Sequence, residues 1–427
     1  MKRGQPLALI AMAALMLTLS LASPLGLQAA EPQPHRYRPF LGTEGKSTPA
    51  MLAALNRMSE ACLVKGQRHS LGHFRWSDTP LKLTHLGLWG SAVTNDIVAL
   101  SAELPDLFNV SLYETSLDDA GVQVLSRLPN LRVLAITRID RYEKPGEGAP
   151  QWSYPFIVPV ADRPRVTGVA LRALTAIKTL EVLDLFDATL SANDLAVLAS
   201  WPKLTAVSLP TVVDDVVVRH LKTCLKLNSL TLGNRAISAA EIRSLAAWTG
   251  LRTLTLIHAQ LSDETLQALS LLPSVQTIEI TDCGLTDEQL QHLRGSPKLT
   301  HLILDRNEIA GPGLKHLVPL KLTMLRLQYN NVSDATLSEL PQFSTLKELE
   351  IPYCRSITDQ GIRSGILQGM RGLKKLNLRG LRQVTDASLD DLLKFGHLTN
   401  LNIRETKTSP QAVEKMKSAM PKTEVFK

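Results

Sequence analysis

The chain has 427 residues and a formal charge of +7, which falls to +5 if Lys2 and Arg3 leave with the leader segment described below. Spread over the whole chain, that charge is too mild to predict nucleic-acid binding. Hydrophobic residues make up 44% of the chain and aromatic residues only 4%, a balance that suits stacked ladders of Leu, Ile and Val.

Residues 1–30 have the pattern of a secretory signal peptide. Lys2 and Arg3 form a basic n-region, residues 7–19 are apolar apart from Thr18, and Leu27-Gln28-Ala29-Ala30 offers a small-residue cleavage site. An uncleaved anchor is the alternative; Pro24 and the Ala29-Ala30 pair favour cleavage. The first cysteine is Cys62, which argues against a lipid anchor at the leader. No later stretch reaches the length of a membrane span. The expectation is an exported chain (periplasmic, cell-surface or secreted) with no stable membrane insertion once the leader is removed.

Residues 31–80 precede the first clear repeat. Ser47-Thr48-Pro49 begins a helical run through Met51, Leu52, Leu55, Met58 and Cys62, with Pro in the first turn as helices prefer. This segment is expected to cap the exposed end of a stack. A partner-docking module such as an F-box is the alternative, and no matching motif supports it.

From residue 81 a strand pattern of the form L-x-x-L-x-L recurs. Its first residues are Leu83, Leu107, Leu131, Leu180, Leu204, Leu227, Leu251, Val275, Leu299, Leu322, Leu346, Leu373 and Leu398. The spacing stays near 24 except between Leu131 and Leu180, where one step is doubled. Each strand is followed by a helix-phased segment. In Leu272–Leu299, for example, Val275, Ile278 and Ile280 read as a strand and Leu290 and Leu293 as a helix stripe. Between them Thr286-Asp287-Glu288-Gln289 has the form of a capping box. The second half recurs as Leu261-Ser262-Asp263, Leu285-Thr286-Asp287, Val332-Ser333-Asp334, Ile357-Thr358-Asp359 and Val384-Thr385-Asp386. One such unit cannot bury its own apolar face, so it must stack on its copies.

Taken together, these residues resemble the leucine-rich repeat family, in the helical-backed form of its cysteine-containing and ribonuclease-inhibitor-like kinds. The resemblance implies an α/β solenoid: a right-handed horseshoe with a parallel sheet on the concave side and short helices on the convex side. The expected organisation is a signal peptide (1–30), an N-terminal cap (31–80), about thirteen repeats (81–406) and a C-terminal cap (407–427). In the last of these, Thr408-Ser409-Pro410 starts a short helix and residues 421–426 read as a truncated strand. The doubled step holds an insertion, residues 140–165, with five prolines and with Tyr142, Trp152, Tyr154 and Phe156. It is too apolar for a simple tether, and the expectation is a loop folded back over the aromatic end of the concave face, as a binding loop or as a passive cover.

In the family the concave face commonly binds the partner. Here its N-terminal third carries Trp89, Tyr113 and Phe186, its middle is small and bland, and its C-terminal third is charged. Candidate partner-binding residues are Trp89, Tyr113, Phe186, Trp152, Tyr154, Phe156, Arg326, Tyr329, Tyr353, Arg379 and Arg404. Arg379 and Arg404, on neighbouring strands, are able to clamp a carboxylate, phosphate or sulfate; the bland alternative has Glu350 and Glu405 neutralise them. Glu279, Asp282 and Asp305 suggest Ca²⁺ ligands or, more simply, a solvated acidic patch balanced by Arg306 and Arg326.

Four cysteines in an exported chain invite a disulfide reading. Cys283 and Cys354, however, share one repeat position with Asn307, Asn330 and Thr406, three repeats apart. Roughly 15 Å of strand spacing separates them, and a disulfide needs Cα atoms within about 7 Å. All four thiols are expected free. No metal pair, nucleotide loop or nucleophile motif occurs, so neither cofactor nor metal is expected and the chain reads as non-enzymatic. A glycoside hydrolase using Glu279 and Asp305 is the remote alternative. The sequence therefore reads as an exported binding module for a protein, possibly a glycan, with a self-assembling or structural envelope component as runner-up.

Overall fold

In the computed structural model of the chain the described residues are 71–78, 81–89, 93–113, 115–137, 166–186, 188–366, 370, 372–393 and 397–427. The leader, the helical run expected over residues 47–62 and the insertion 140–165 lie outside them. Two compact units divide the chain, residues 1–139 with 160–207 and residues 140–159 with 208–427.

In the first unit, β1 (Leu71–Asp78) pairs antiparallel with β2 (Leu81–Trp89). β2 is followed in parallel by β3 (Asn109–Tyr113), β4 (Val133–Thr137) and β5 (Val182–Asp184). The register joins Gly87, Ser111, Ala135 and Asp184, the column expected from the sequence. β1 was not expected as a strand. It covers the edge of β2 and so removes a row of unpaired backbone groups that would otherwise template aggregation.

β6 (Ala206–Leu209) lies at the division between the units. The second unit then runs β7 (Ser229–Gly233), β8 (Thr253–Ile257), β9 (Thr277–Thr281), β10 (His301–Ile303), β11 (Met324–Arg326), β12 (Glu348–Glu350), β13 (Lys375–Asn377), β14 (Asn400–Asn402) and β15 (Glu424–Phe426), each parallel to the next. The expected truncated end strand is β15, and the helix before it is Pro410–Ala419, capped by Ser409.

Leucine ladders hold this unit together. Leu230, Leu254, Ile278, Leu302, Leu325, Leu349, Leu376 and Leu401 form one inward column, and all are fully buried. So is the next column, from Leu232 through Leu304 and Leu327 to Ile403. Each such side chain contributes about 1.5–3 kcal/mol by leaving water. Beyond the second column, Asn307 ties the turn. Its Oδ1 accepts from the backbone N–H of Cys283 (3.1 Å) and Leu285 (3.0 Å), and its Nδ2 donates to Ile280 O (2.8 Å). Cys283 and Cys354 donate their thiols to the equivalent carbonyls of Leu256 (3.6 Å) and Leu327 (3.1 Å). Cys224, Cys283 and Cys354 are free, as expected; Cys62 lies outside the described residues.

The recurring Thr/Ser-Asp pair has a mechanical cause. The Asp carboxylate reaches across to the next repeat: Asp334 accepts from Thr358 N (2.8 Å) and its hydroxyl (2.6 Å), Asp359 likewise from Thr385, and Asp386 from Ser409. At 286–289 the expected capping box closes only by half. Gln289 Oε1 accepts from Thr286 N (3.2 Å), but the segment is a 3₁₀ helix, Glu288–Leu293, with Asp287 at its N-cap. Asp287 instead turns its carboxylate to the N–H groups of Ala310, Gly311 and Gly313 in the following repeat.

Candidate functional site

The residue two places beyond the last leucine of each strand takes left-handed backbone throughout the second unit. The column reads Asn234, His258, Asp282, Arg306, Tyr329, Tyr353, Gly380 and Glu405, with φ between 48° and 74°. The cause lies in the turn. From Asn234 to Gly380 each of these residues donates its N–H to a carbonyl of the next repeat while the chain bends away: Arg306 N to Gln328 O (2.8 Å), Tyr329 N to Pro352 O (3.1 Å), Tyr353 N to Arg379 O (2.8 Å), Gly380 N to Arg404 O (2.9 Å). Glycine suits such backbone and Asn, Asp and His tolerate it; Arg and Tyr pay for it, at roughly 1–2 kcal/mol each. The backbone thus explains the conformation and leaves the choice of side chains unexplained.

Those side chains stack. The Arg306 guanidinium lies 4.7 Å from the Tyr329 ring centroid, and Tyr329 stacks on Tyr353 at 4.6 Å with 4° between planes. Arg379 lies 5.6 Å from the Tyr353 centroid and donates to Glu405 Oε1 through Nε (2.9 Å) and Nη2 (2.5 Å). The Tyr353 hydroxyl donates to the same carboxylate (3.1 Å). Burial, helped by the neighbouring Tyr329 and Glu405, pushes the Tyr353 phenol up to about 12, so it stays a donor. Glu405 is itself held below the usual carboxylate range: burial opposes this, and Arg379 prevails. The result is a preorganised strip beside the sheet face, two stacked rings held between two cations.

Beside the strip runs a buried ionic row. Arg326 grips Asp305 through Nε (2.7 Å) and Nη2 (2.6 Å), and Asp305 also accepts from Gln328 N (3.1 Å). Glu279 accepts from Thr281 (3.2 Å) and Thr255 (3.4 Å); burial raises it to about 6 despite the pull of Arg326. Burial raises Glu350 as well, again against Arg326. The solvated acidic patch expected here is not what forms: Glu279 and Asp305 are only 3% and 4% exposed, Glu279 held by two threonine hydroxyls on the sheet and Asp305, in the turn after β10, by Arg326. Asp282 faces His258 instead, at 3.2 Å. Among the described residues no cluster of three acidic, His or Cys side chains could hold a metal. Glu279 and Asp305 are likewise too buried to meet a sugar as an acid pair.

The other expected contact residues separate. Arg379 is neutralised by Glu405, as the bland alternative has it, but Arg404 is not: it lies over Phe426 at 5.3 Å. In the first unit Trp89 pairs by backbone with Tyr113; Tyr113 is 6% exposed and Phe186 half-buried. Trp152, Tyr154 and Phe156 lie outside the described residues. The left-handed column itself was missed as a unit. Its signal was present in Asn234, Asp282 and Gly380, three residues tolerant of positive φ at one repeat position.

A family model described as Leucine Rich repeat matches residues 295–318, one period of this register. The fold is that of a leucine-rich repeat solenoid. No curated relative matches it. Three solved leucine-rich repeat structures are similar: an internalin from Listeria monocytogenes (19% identity, 88% of this chain and 94% of that one, TM-score 0.39), TLR13 in complex with ssRNA13 (19%, 81% and 54%, 0.44) and Rad7 in complex with Elc1 from yeast (15%, 78% and 81%, 0.44). The chain thus spans about half the length of the TLR13 chain.

Proposed function

We propose that the chain is a binding module for a protein partner, engaged through the Arg306–Tyr329–Tyr353–Arg379 strip and the sheet face beside it. The observation that carries this reading is the placement of Tyr and Arg at backbone positions that favour glycine. Tyr and Arg are the residues enriched among interface hot spots, and here they are held rigid before any partner arrives, which lowers the cost of ordering them. A glycan fits less well, because Tyr329 lies between Arg306 and Tyr353 and offers no open ring face as a platform. The leader-like pattern of residues 1–30 supports binding outside the cytoplasm; N-terminal sequencing of the mature chain that began at Met1 would overturn that part.

The test is capture of a partner by the full chain and by two variants. Tyr353→Ala should lose the captured protein, whereas Lys415→Ala, on an exposed pair with Asp390, should keep it. Equal capture by both variants would refute the strip as the contact surface.

A further inference from the structure

The sheet face ends in an open pocket of about 260 Å³, lined by Glu348, Glu350, Lys375, Asn377, Asn402 and Arg404, with Phe426 behind. Two asparagines there are pinned in the same way. Asn377 Oδ1 accepts from Arg379 N and Asn402 Oδ1 from Arg404 N, each at 3.1 Å. With the carbonyl oxygens committed to the turn, the NH₂ groups are left as the donors that remain for anything else. The Asn377 amide is drawn to Glu350 (3.4 Å), and the Asn402 amide has no such acceptor among the described residues.

The charges are matched at every point but one. Glu348 is paired with Lys375 at 2.9 Å, and Glu350 sits beside Arg326 with its carboxyl held partly protonated by burial. Arg379 belongs to Glu405. Arg404 has its guanidinium over Phe426 and makes no ion pair among the described residues. It is exposed, fixed in place by the ring, and its planar fork suits a carboxylate.

We propose that this pocket is a carboxylate site, in which Arg404 and the Asn402 amide receive an acidic side chain of a polypeptide partner. The inference rests on the protein-binding reading above and names the chemistry at one end of that surface. A sugar is disfavoured here, since Arg404 already covers the Phe426 ring.

The experiment titrates the full chain with a labelled Gly-Glu-Glu-Gly peptide amide, with its Gly-Gln-Gln-Gly counterpart and with free glutarate. The acidic peptide should bind at least about tenfold more tightly than the amide peptide. Arg404→Gln should abolish that preference, and Arg404→Lys should keep part of it. Asn402→Asp, nearly isosteric, should also abolish it by setting a like charge beside the ligand, which guards against a misfolded Arg404 variant. Equal binding of the two peptides, or a preference that survives Arg404→Gln, overturns the site. Glutarate binding as tightly as the acidic peptide would assign the pocket to small carboxylates and overturn the polypeptide assignment. If the peptides fail while Tyr353→Ala still loses the captured partner, the pocket falls and the strip stands.

Discussion

A Cβ at position 380 would lie 2.2 Å from Cδ1 of Tyr353, and φ there is 74°. Gly380→Ala therefore incurs both the left-handed penalty and the displacement of the ring that Arg379 and Glu405 hold. We expect a loss of about 1–3 kcal/mol in urea unfolding together with a reduced near-ultraviolet tyrosine signal; an unchanged signal would mean that Tyr353 does not rest on Gly380. Glu279 belongs to the same scale. Burial raises its carboxyl from 4.5 to about 6, so the folded chain holds a proton that the unfolded chain has released. The sign follows: the stabilisation is complete below about 4.5 and is lost as pH rises through about 6, on the order of 1–2 kcal/mol. The urea midpoint of the full chain should fall between pH 4.5 and 7.5, and Glu279→Gln should flatten that slope. A slope equal in both proteins would remove Glu279 from the account.

At the scale of the element, the strand register can be checked by core truncation. Leu304 and Leu327 are fully buried just beyond the adjacent strands β10 and β11, and either Leu→Ala change should cost about 2–5 kcal/mol. Lys298→Ala, exposed outside the ladder, should change stability by less than about 0.5 kcal/mol. Asp287→Ala strips acceptors from three backbone N–H groups of the next repeat and should cost about 1–3 kcal/mol. Melting curves that failed to separate Leu304→Ala from Lys298→Ala would show the register to be wrong. The strands were legible because leucine spacing reports burial directly, and the thirteen starts from Leu83 to Leu398 each precede or fall in an observed strand. The turns were less so. Thr286 and Gln289 look like a local box, yet the local pattern does not disclose that Asp287 serves a repeat 23–26 residues away. β1 escaped for a related reason, since its partner is set by the edge it covers and not by its own period.

For the molecule as a whole, the buried columns leave the thiols unpaired, and titration of the denatured, unreduced chain should count Cys224, Cys283 and Cys354 as free, with reductant leaving the melting temperature unchanged. The proposed contact surface was half legible. Arg326, Tyr329, Tyr353, Arg379 and Arg404 all fall on the second unit's sheet face or its flanking column, but their partners did not show in the sequence: Phe426 comes from the end strand, and Glu405 reaches back 52 residues to Tyr353. On the proposed function, tyrosine stands in the left-handed column for what it binds. The most direct measurement replaces both rings with the residue that backbone prefers, Tyr329→Gly with Tyr353→Gly, and follows stability and partner affinity together. Relief of backbone strain and loss of the stack are of similar size, about 1 kcal/mol each, so stability should stay within about 1–2 kcal/mol while affinity falls by more than tenfold. Unchanged affinity, with stability clearly reduced, would contradict the account and make the tyrosines a structural brace.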